Sequence, residues 1–133
     1  MTITELHKLW EKQNKGKAMA TEHDLQKSCI GWFRLKHPQY LRLLMAIPNA
    51  GRRTKYERRM VLEEGIQHGV PDLFLAIPRK GKGGLWIEMK NGKAGGLGDY
   101  QKEMIALLEG QGYACAVCHT LDEFMTTVEE YMK

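Results

Sequence analysis

Leu25, Cys29, Trp32 and Phe33 fall on one face at helical spacing, whereas Leu73, Leu75 and Ile77, and then Leu85, Ile87 and Met89, recur at every second position. The first pattern predicts an amphipathic helix and the second predicts strands with one face in a core. Extended along the chain, the same reading predicts a short helix over 3–14, from Ile3, Leu6, Leu9 and Trp10, and a helix over 21–37 opened by Thr21 and Asp24 in capping-box spacing. "YLRLLMAIPN" reads as a buried strand ending at Pro48, followed by a helix over 54–67 that Gly69 terminates. "VPDLFLAIP" and "GLWIEMK" are two strands joined by "RKGKGG", a hairpin whose loop looks too long for a two-residue turn. The Gly-rich "NGKAGGLG" leads into a helix over 99–109, a strand "YACAVC" and a last helix over 121–132. Helices before, between and after a central sheet predict an α/β/α sandwich, with a mixed sheet because its middle pair is a hairpin.

Length changes this picture little: 133 residues suit one domain with its own core, and neither repeat nor linker divides the chain. Residues 1–18 read as a helical extension of that domain. With 43% hydrophobic and 27% charged residues the composition is that of a soluble globular protein. The start "MTITELHKLWEKQNK" lacks the pattern of an export signal, and no run is long enough to span a bilayer, so a cytoplasmic location and no membrane partner are expected. The three cysteines are then expected to be reduced thiols. "CAVCH", Cys115 to His119, has the spacing of a haem attachment site, but residues three apart in a strand face opposite ways, so neither haem nor zinc is expected there.

Charge is more telling in its distribution than in its net value of +4. Residues 51–59 hold five basic side chains against Glu57, and residues 79–93 hold five against Glu88, which leaves the remainder of the chain acidic. Such concentration is the footprint of phosphate contacts, although a solvated helix face and a Lys-rich turn would look the same. Arg52, Lys55 and Arg59 fall on or near one face of the expected helix; Arg53 and Lys93 extend the basic set.

The two hairpin strands carry the chemistry. Alternation puts Trp86, Glu88 and Lys90 on one face, with Glu88 and Lys90 roughly 7 Å apart along the strand, and puts Asp72 on a face with Phe74 and Ala76. A hairpin centred on Lys80 places Asp72 directly across from Glu88. Like charges opposed across a ladder destabilise it, a conflict that sequences tolerate mainly where a function needs it. A hard divalent cation resolves it: Mg²⁺ suits carboxylate and carbonyl oxygens best, and Mn²⁺ can substitute. Lys90 beside the pair can stabilise negative charge developing on a nucleophile and a phosphate, so phosphodiester hydrolysis is the reaction this set fits.

In their order, "IPNAGRR", "HGVPDLFL", "LWIEMK" and "LGDYQKEMIALLEGQGYACAVC" resemble the VRR-NUC (virus-type replication-repair nuclease) family of the PD-(D/E)xK nuclease superfamily, over most of the chain. The resemblance implies a restriction-endonuclease-like fold, metal-dependent DNA cleavage, a homodimer for compact members and a relationship to Holliday junction resolvases. It also implies that Asp72 and Glu88 are the metal-binding acids, Lys90 the catalytic lysine and the Met89 carbonyl an additional metal ligand. Glu22 is the match to the acidic residue of the first core helix; three residues before Leu25, it is expected in the buried stripe, with helix-dipole stabilisation as the plain alternative. Gln26, one turn later, could line the site as well. Gln101 matches the glutamine opening the helix after the ExK strand, where it could bond a phosphate or the attacking water, or be an ordinary exposed residue. Asn49 and Gly51 either form a turn or bring an amide near the scissile backbone. The choice between four-way junctions and flaps, nicks or unspecific duplex stays open, as does a catalytically silent basic DNA-binding module, which the intact Asp72, Glu88 and Lys90 argue against.

Overall fold

The computed structural model describes Thr2, Glu5, Lys8, Leu9, residues 21–48, Arg59, residues 63–92 and residues 96–133. Helix α1 (Glu22–Lys36) leads through a 3₁₀ turn (Pro38–Leu43) into strand β1 (Leu44–Ala46); strands β2 (Leu73–Leu75) and β3 (Leu85–Met89), helix α2 (Asp99–Gly110), strand β4 (Ala114–Cys118) and helix α3 (Leu121–Met132) follow. The four strands form one sheet in the order β1-β2-β3-β4, antiparallel except for the parallel pair β3 and β4. The mixed sheet expected from the hairpin and the intervening helix is therefore present.

The core lies on one face of the sheet. Leu73, Leu75, Ile77, Leu85, Ile87 and Met89 point toward Leu25, Cys29 and Phe33 of α1 and Phe124 and Val128 of α3, all buried. Thr21 and Thr120 start those two helices by accepting the Asp24 and Glu123 amides at 3.1 Å, satisfying donors that a helix start leaves open. The opposite face carries Phe74 stacked on Trp86 with centroids 4.3 Å apart and Tyr113 edge-on to both. Helix α2, which has no buried residue, lies along that side through Gln101 and Ile105.

The loop between β2 and β3 differs from expectation in a way that preserves the register. Arg79 and Lys82 exchange both backbone hydrogen bonds around Lys80 (φ 52°) and Gly81 (φ 76°), a tight two-residue turn with the positive φ pair of type I′. Three residues, 76–78, then oppose only Gly83 and Gly84, a bulge that contains Pro78, which has no amide to donate. The Tyr131 hydroxyl donates to the Ile77 carbonyl in this bulge at 2.6 Å. Tight turn and extra residue offset one another, so Leu73 pairs with Ile87 and the ladder stays centred on Lys80.

Other expectations are corrected. "YLRLLMAIPN" is not a buried strand: its first four residues belong to the 3₁₀ turn, and only Leu44–Ala46 pairs, at the sheet edge, with Leu41, Leu43 and Met45 about 40% exposed. The apolar run reflects an edge strand, which a burial argument from composition cannot tell from a central one. The helix expected over 54–67 is helical at Arg59 and ends at Glu63; Gly65 (φ 97°), rather than Gly69, lies just past that end. Of the N-terminal segment, Glu5, Lys8 and Leu9 are helical, with Thr2 and Glu5 forming a reciprocal cap. All three cysteines are free thiols. Cys115 reaches toward the Ile105 carbonyl of α2 while Cys118 is buried beside Thr127 of α3, the opposite-face placement expected of residues three apart.

Candidate active site

Asp72 and Glu88 meet on the sheet face opposite the core, at the end where β2 begins and β3 finishes. Continuing the β2–β3 register by one pair sets them across from each other, and their carboxyl groups are close enough to share a hydrogen bond. Asp72 Oδ2 accepts the Met89 amide at 2.7 Å, so the main chain of the neighbouring strand fixes its orientation. Glu88 is 4% exposed, and burial, then the Asp72 charge, push its pKa up to about 8; Glu22 raises it further, and Lys90 opposes the shift. Lys90 Nζ lies 3.9 Å from Glu88 Oε1, yet one ammonium does not compensate three carboxyl groups.

Gln101 is tied on both sides of its amide. Its Oε1 accepts the Gly98 amide at 2.9 Å, capping α2, and its Nε2 donates to Glu88 Oε1 at 3.1 Å. The helix start thereby orients a donor toward the buried acid. A cavity of about 230 Å³ opens here, lined by Asp72, Glu88 and Gln101 together with the exposed His68, Asp99 and Tyr100.

The donor chemistry fits a hard divalent cation. Two converging carboxyls, one of them pushed up in pKa by burial and by the other's charge, are the kind of oxygen pair whose mutual repulsion a hard divalent cation would relieve. A third oxygen is available: the Lys90 amide donates to Cys118 in β4, so the Met89 carbonyl, at the other end of that trans peptide, points toward the Asp72 side. Among the described residues no group of three His, Cys, Asp or Glu side chains is placed to hold a metal ion, and the oxygens gathered here, two carboxyls and a carbonyl, are of the type that Mg²⁺ and Mn²⁺ accept.

Comparison with known proteins gives these residues a context. The VRR-NUC domain family model matches residues 7–121. The chain belongs to the VRR-NUC family. A solved structure described as a VRR_NUC domain protein has the same fold, with a TM-score of 0.75 at 24% identity, covering 84% of this chain and 88% of that one. No curated protein shows significant similarity. VRR-NUC membership makes the protein a nuclease of the PD-(D/E)xK type, with DNA as its substrate.

Within this VRR-NUC fold, Asp72, Glu88, Lys90 and Gln101 are brought together, and the Met89 carbonyl is directed toward them. Glu22 is exposed rather than part of the buried stripe, because it occupies the first residue of α1 and the stripe begins at Leu25; its charge nevertheless acts on Glu88. Gln26 is half-buried. Arg59 pairs with Glu63 at 3.3 Å on an exposed helix face. Asn49, Gly51, Arg52, Arg53, Lys55 and Lys93 lie outside the described residues. The described basic residues of the stretch 79–93 do not form one surface, since Arg79, Lys80 and Lys82 sit at the turn, the far end of the hairpin from Asp72, Glu88 and Lys90. Reasoning from sequence missed His68, Asp99 and Tyr100 at the cavity, and the role of Gly69. An ideal Cβ on Gly69 would lie 2.3 Å from the Tyr100 carbonyl oxygen, so this loop and the start of α2 are pressed backbone to backbone. The only signal was the adjacency of "HG" to "VPD" and of "DY" to Gln101.

No described helix is long and apolar enough to cross a membrane.

Proposed function

We propose that this VRR-NUC protein is a Mg²⁺-dependent, structure-selective DNA endonuclease that cuts branched DNA, four-way junctions foremost, as a homodimer. The observation that supports it is the convergence of Asp72 and Glu88 across β2 and β3 with Lys90 beside them. Asp72, Glu88 and the Met89 carbonyl would hold the ion, with Glu22 as a further donor directly or through water. When bound, the cation supplies Lewis acidity toward the phosphate and the attacking water. The chain's own groups do the rest. Lys90 offers positive charge where the pentavalent phosphate becomes more negative. Gln101 keeps Glu88 turned into the cavity, and its amide can also meet the nucleophile. Asn49, Arg52, Arg53, Lys55, Arg59 and Lys93 would hold the DNA backbone. Two copies related by a two-fold axis would present two such sites to a symmetric junction.

The test uses labelled four-way junction, flap and linear duplex substrates with Mg²⁺ or chelator, comparing the native protein with Asp72→Ala, and sedimentation to give the oligomeric state. Junction cleavage should require Mg²⁺ and fall on the order of a thousandfold in Asp72→Ala, several kcal/mol of transition-state stabilisation, while DNA binding persists. Cleavage that survives the substitution would overturn the assignment. Equal rates on linear duplex, or a monomer in solution, would replace the junction reading with that of an unspecific or asymmetric nuclease.

A further inference from the structure

His68 and Tyr100 stand beside the paired carboxyls without serving the core. Their rings lie 5.5 Å apart, tilted by 33°, close to an offset stack. Tyr100 is 68% exposed and His68 is exposed as well, and both border the cavity that holds Asp72 and Glu88. Helix α2 meets the rest of the protein through Gln101, Met104, Ile105 and Leu108, so Tyr100, on the neighbouring flank, is not needed to anchor it. A single exposed aromatic residue needs no explanation. Two exposed rings in contact beside a cavity lined with acids do, particularly when a glycine at φ 79° is required for the segments that carry them to touch.

The cavity of about 230 Å³ has room for an ion, solvent and a phosphate, and the exposed rings of His68 and Tyr100 are part of its lining. A base next to a phosphate held there would meet those rings. Asp72, Glu88 and Asp99 repel a second phosphate from the same place, whereas the face of an uncharged base meets no such barrier. In continuous duplex both faces of a base are occupied by its neighbours, so only a base at a branch, flap or nick can stack on protein.

We propose that His68 and Tyr100 form a stacking platform for an unpaired nucleobase adjoining the scissile phosphate, and that this platform selects sites where a strand leaves the duplex. The proposal rests on the nuclease reading above and names the feature of its substrate that the site grips.

The experiment is a cycle between ring and base. Native protein, Tyr100→Ala and Tyr100→Phe are compared on a flap or junction carrying an unpaired nucleotide at the branch, and on the same DNA with that nucleotide made abasic. Rates are measured with Mg²⁺ and dissociation constants in chelator. Tyr100→Ala should lose about tenfold on the intact substrate, the scale of one base–aromatic stack, and Tyr100→Phe should retain nearly all. Removing the base should cost the native protein a similar factor and Tyr100→Ala nothing further. Losses that multiply independently, or a Tyr100→Ala loss equal on both substrates, would overturn the platform. Native protein that cuts neither substrate would count against the hydrolytic reading alone, because the binding cycle still decides the platform.

Discussion

At the scale of single residues, Glu88 combines burial, a neighbouring acid and a lysine in a way that makes its proton a reporter of the site. Folded, it holds that proton up to about pH 8; unfolded, it releases it near its ordinary value of 4.5. Between those values the folded state binds the extra proton, so metal-free protein should lose stability as pH rises through this window and be level below it. Melting curves in chelator from pH 4.5 to 8.5 check the sign, and Glu88→Gln, neutral throughout, should flatten the profile. The same proton competes with the cation. Mg²⁺ affinity, read from the melting shift at increasing Mg²⁺, should therefore weaken by up to about tenfold for each pH unit below 8. A pH-independent affinity would mean that Glu88 is not the group the ion displaces a proton from.

At the scale of elements, the glycines show which contacts position the site. Gly69 has φ 79° and no room for a side chain against Tyr100, whereas Gly65 has φ 97° and nothing within 4 Å. Gly65→Ala should cost about 1 kcal/mol from backbone strain alone, and leave cleavage intact. Gly69→Ala adds a clash with backbone and should both destabilise further, on the order of 2–4 kcal/mol in all, and cut activity by separating the Asp72 loop from the helix that carries Gln101. Thermal melts and cleavage rates of the two variants distinguish the cases. Gly84 is a third instance: an added Cβ would lie 2.6 Å from the Phe74 ring, which is held against Trp86.

These elements also mark how far the sequence could be read. Alternation in β2 and β3 was legible because every inward position is apolar, and the pairing of Asp72 with Glu88 followed because the register is a sum over two chain positions, insensitive to the compensating turn and bulge. The turn was not legible: Lys80 adopts φ 52°, a conformation its side chain does not favour and only context imposes. The edge position of Leu44–Ala46 was hidden because exposure depends on sheet order, which hydrophobicity does not encode. Gln101 was visible as a motif residue, but its second bond, the cap to Gly98, depends on where α2 begins.

At the scale of the molecule, the acids and the basic turn occupy opposite ends of the sheet. Helix α2 starts beside Glu88, α3 begins where β4 ends next to Lys90, and Glu22 opens α1 within electrostatic reach, so the N-termini of α1, α2 and α3 gather at the carboxyl end of β3, where open α/β sheets bind their ligands. At the other end, Lys80 Nζ donates to the Glu130 carbonyl in the last turn of α3, and Arg79 donates to the Pro78 carbonyl and lies 3.5 Å from the Tyr40 hydroxyl. Those cations are spent on the fold, and the extended strands between turn and acids span about 25 Å at the usual rise per residue. DNA held at the cavity would thus owe little affinity to the turn. Lys80→Ala should lower stability by about 0.5–1 kcal/mol, the scale of a cation at a helix C-terminus, while leaving the slope of log affinity against log salt unchanged. Arg59→Ala, in a residue whose only fixed partner among the described residues is Glu63, should reduce that slope by about one. A slope that falls on mutating Lys80 instead would place the DNA along the length of the hairpin, with the turn as part of its track.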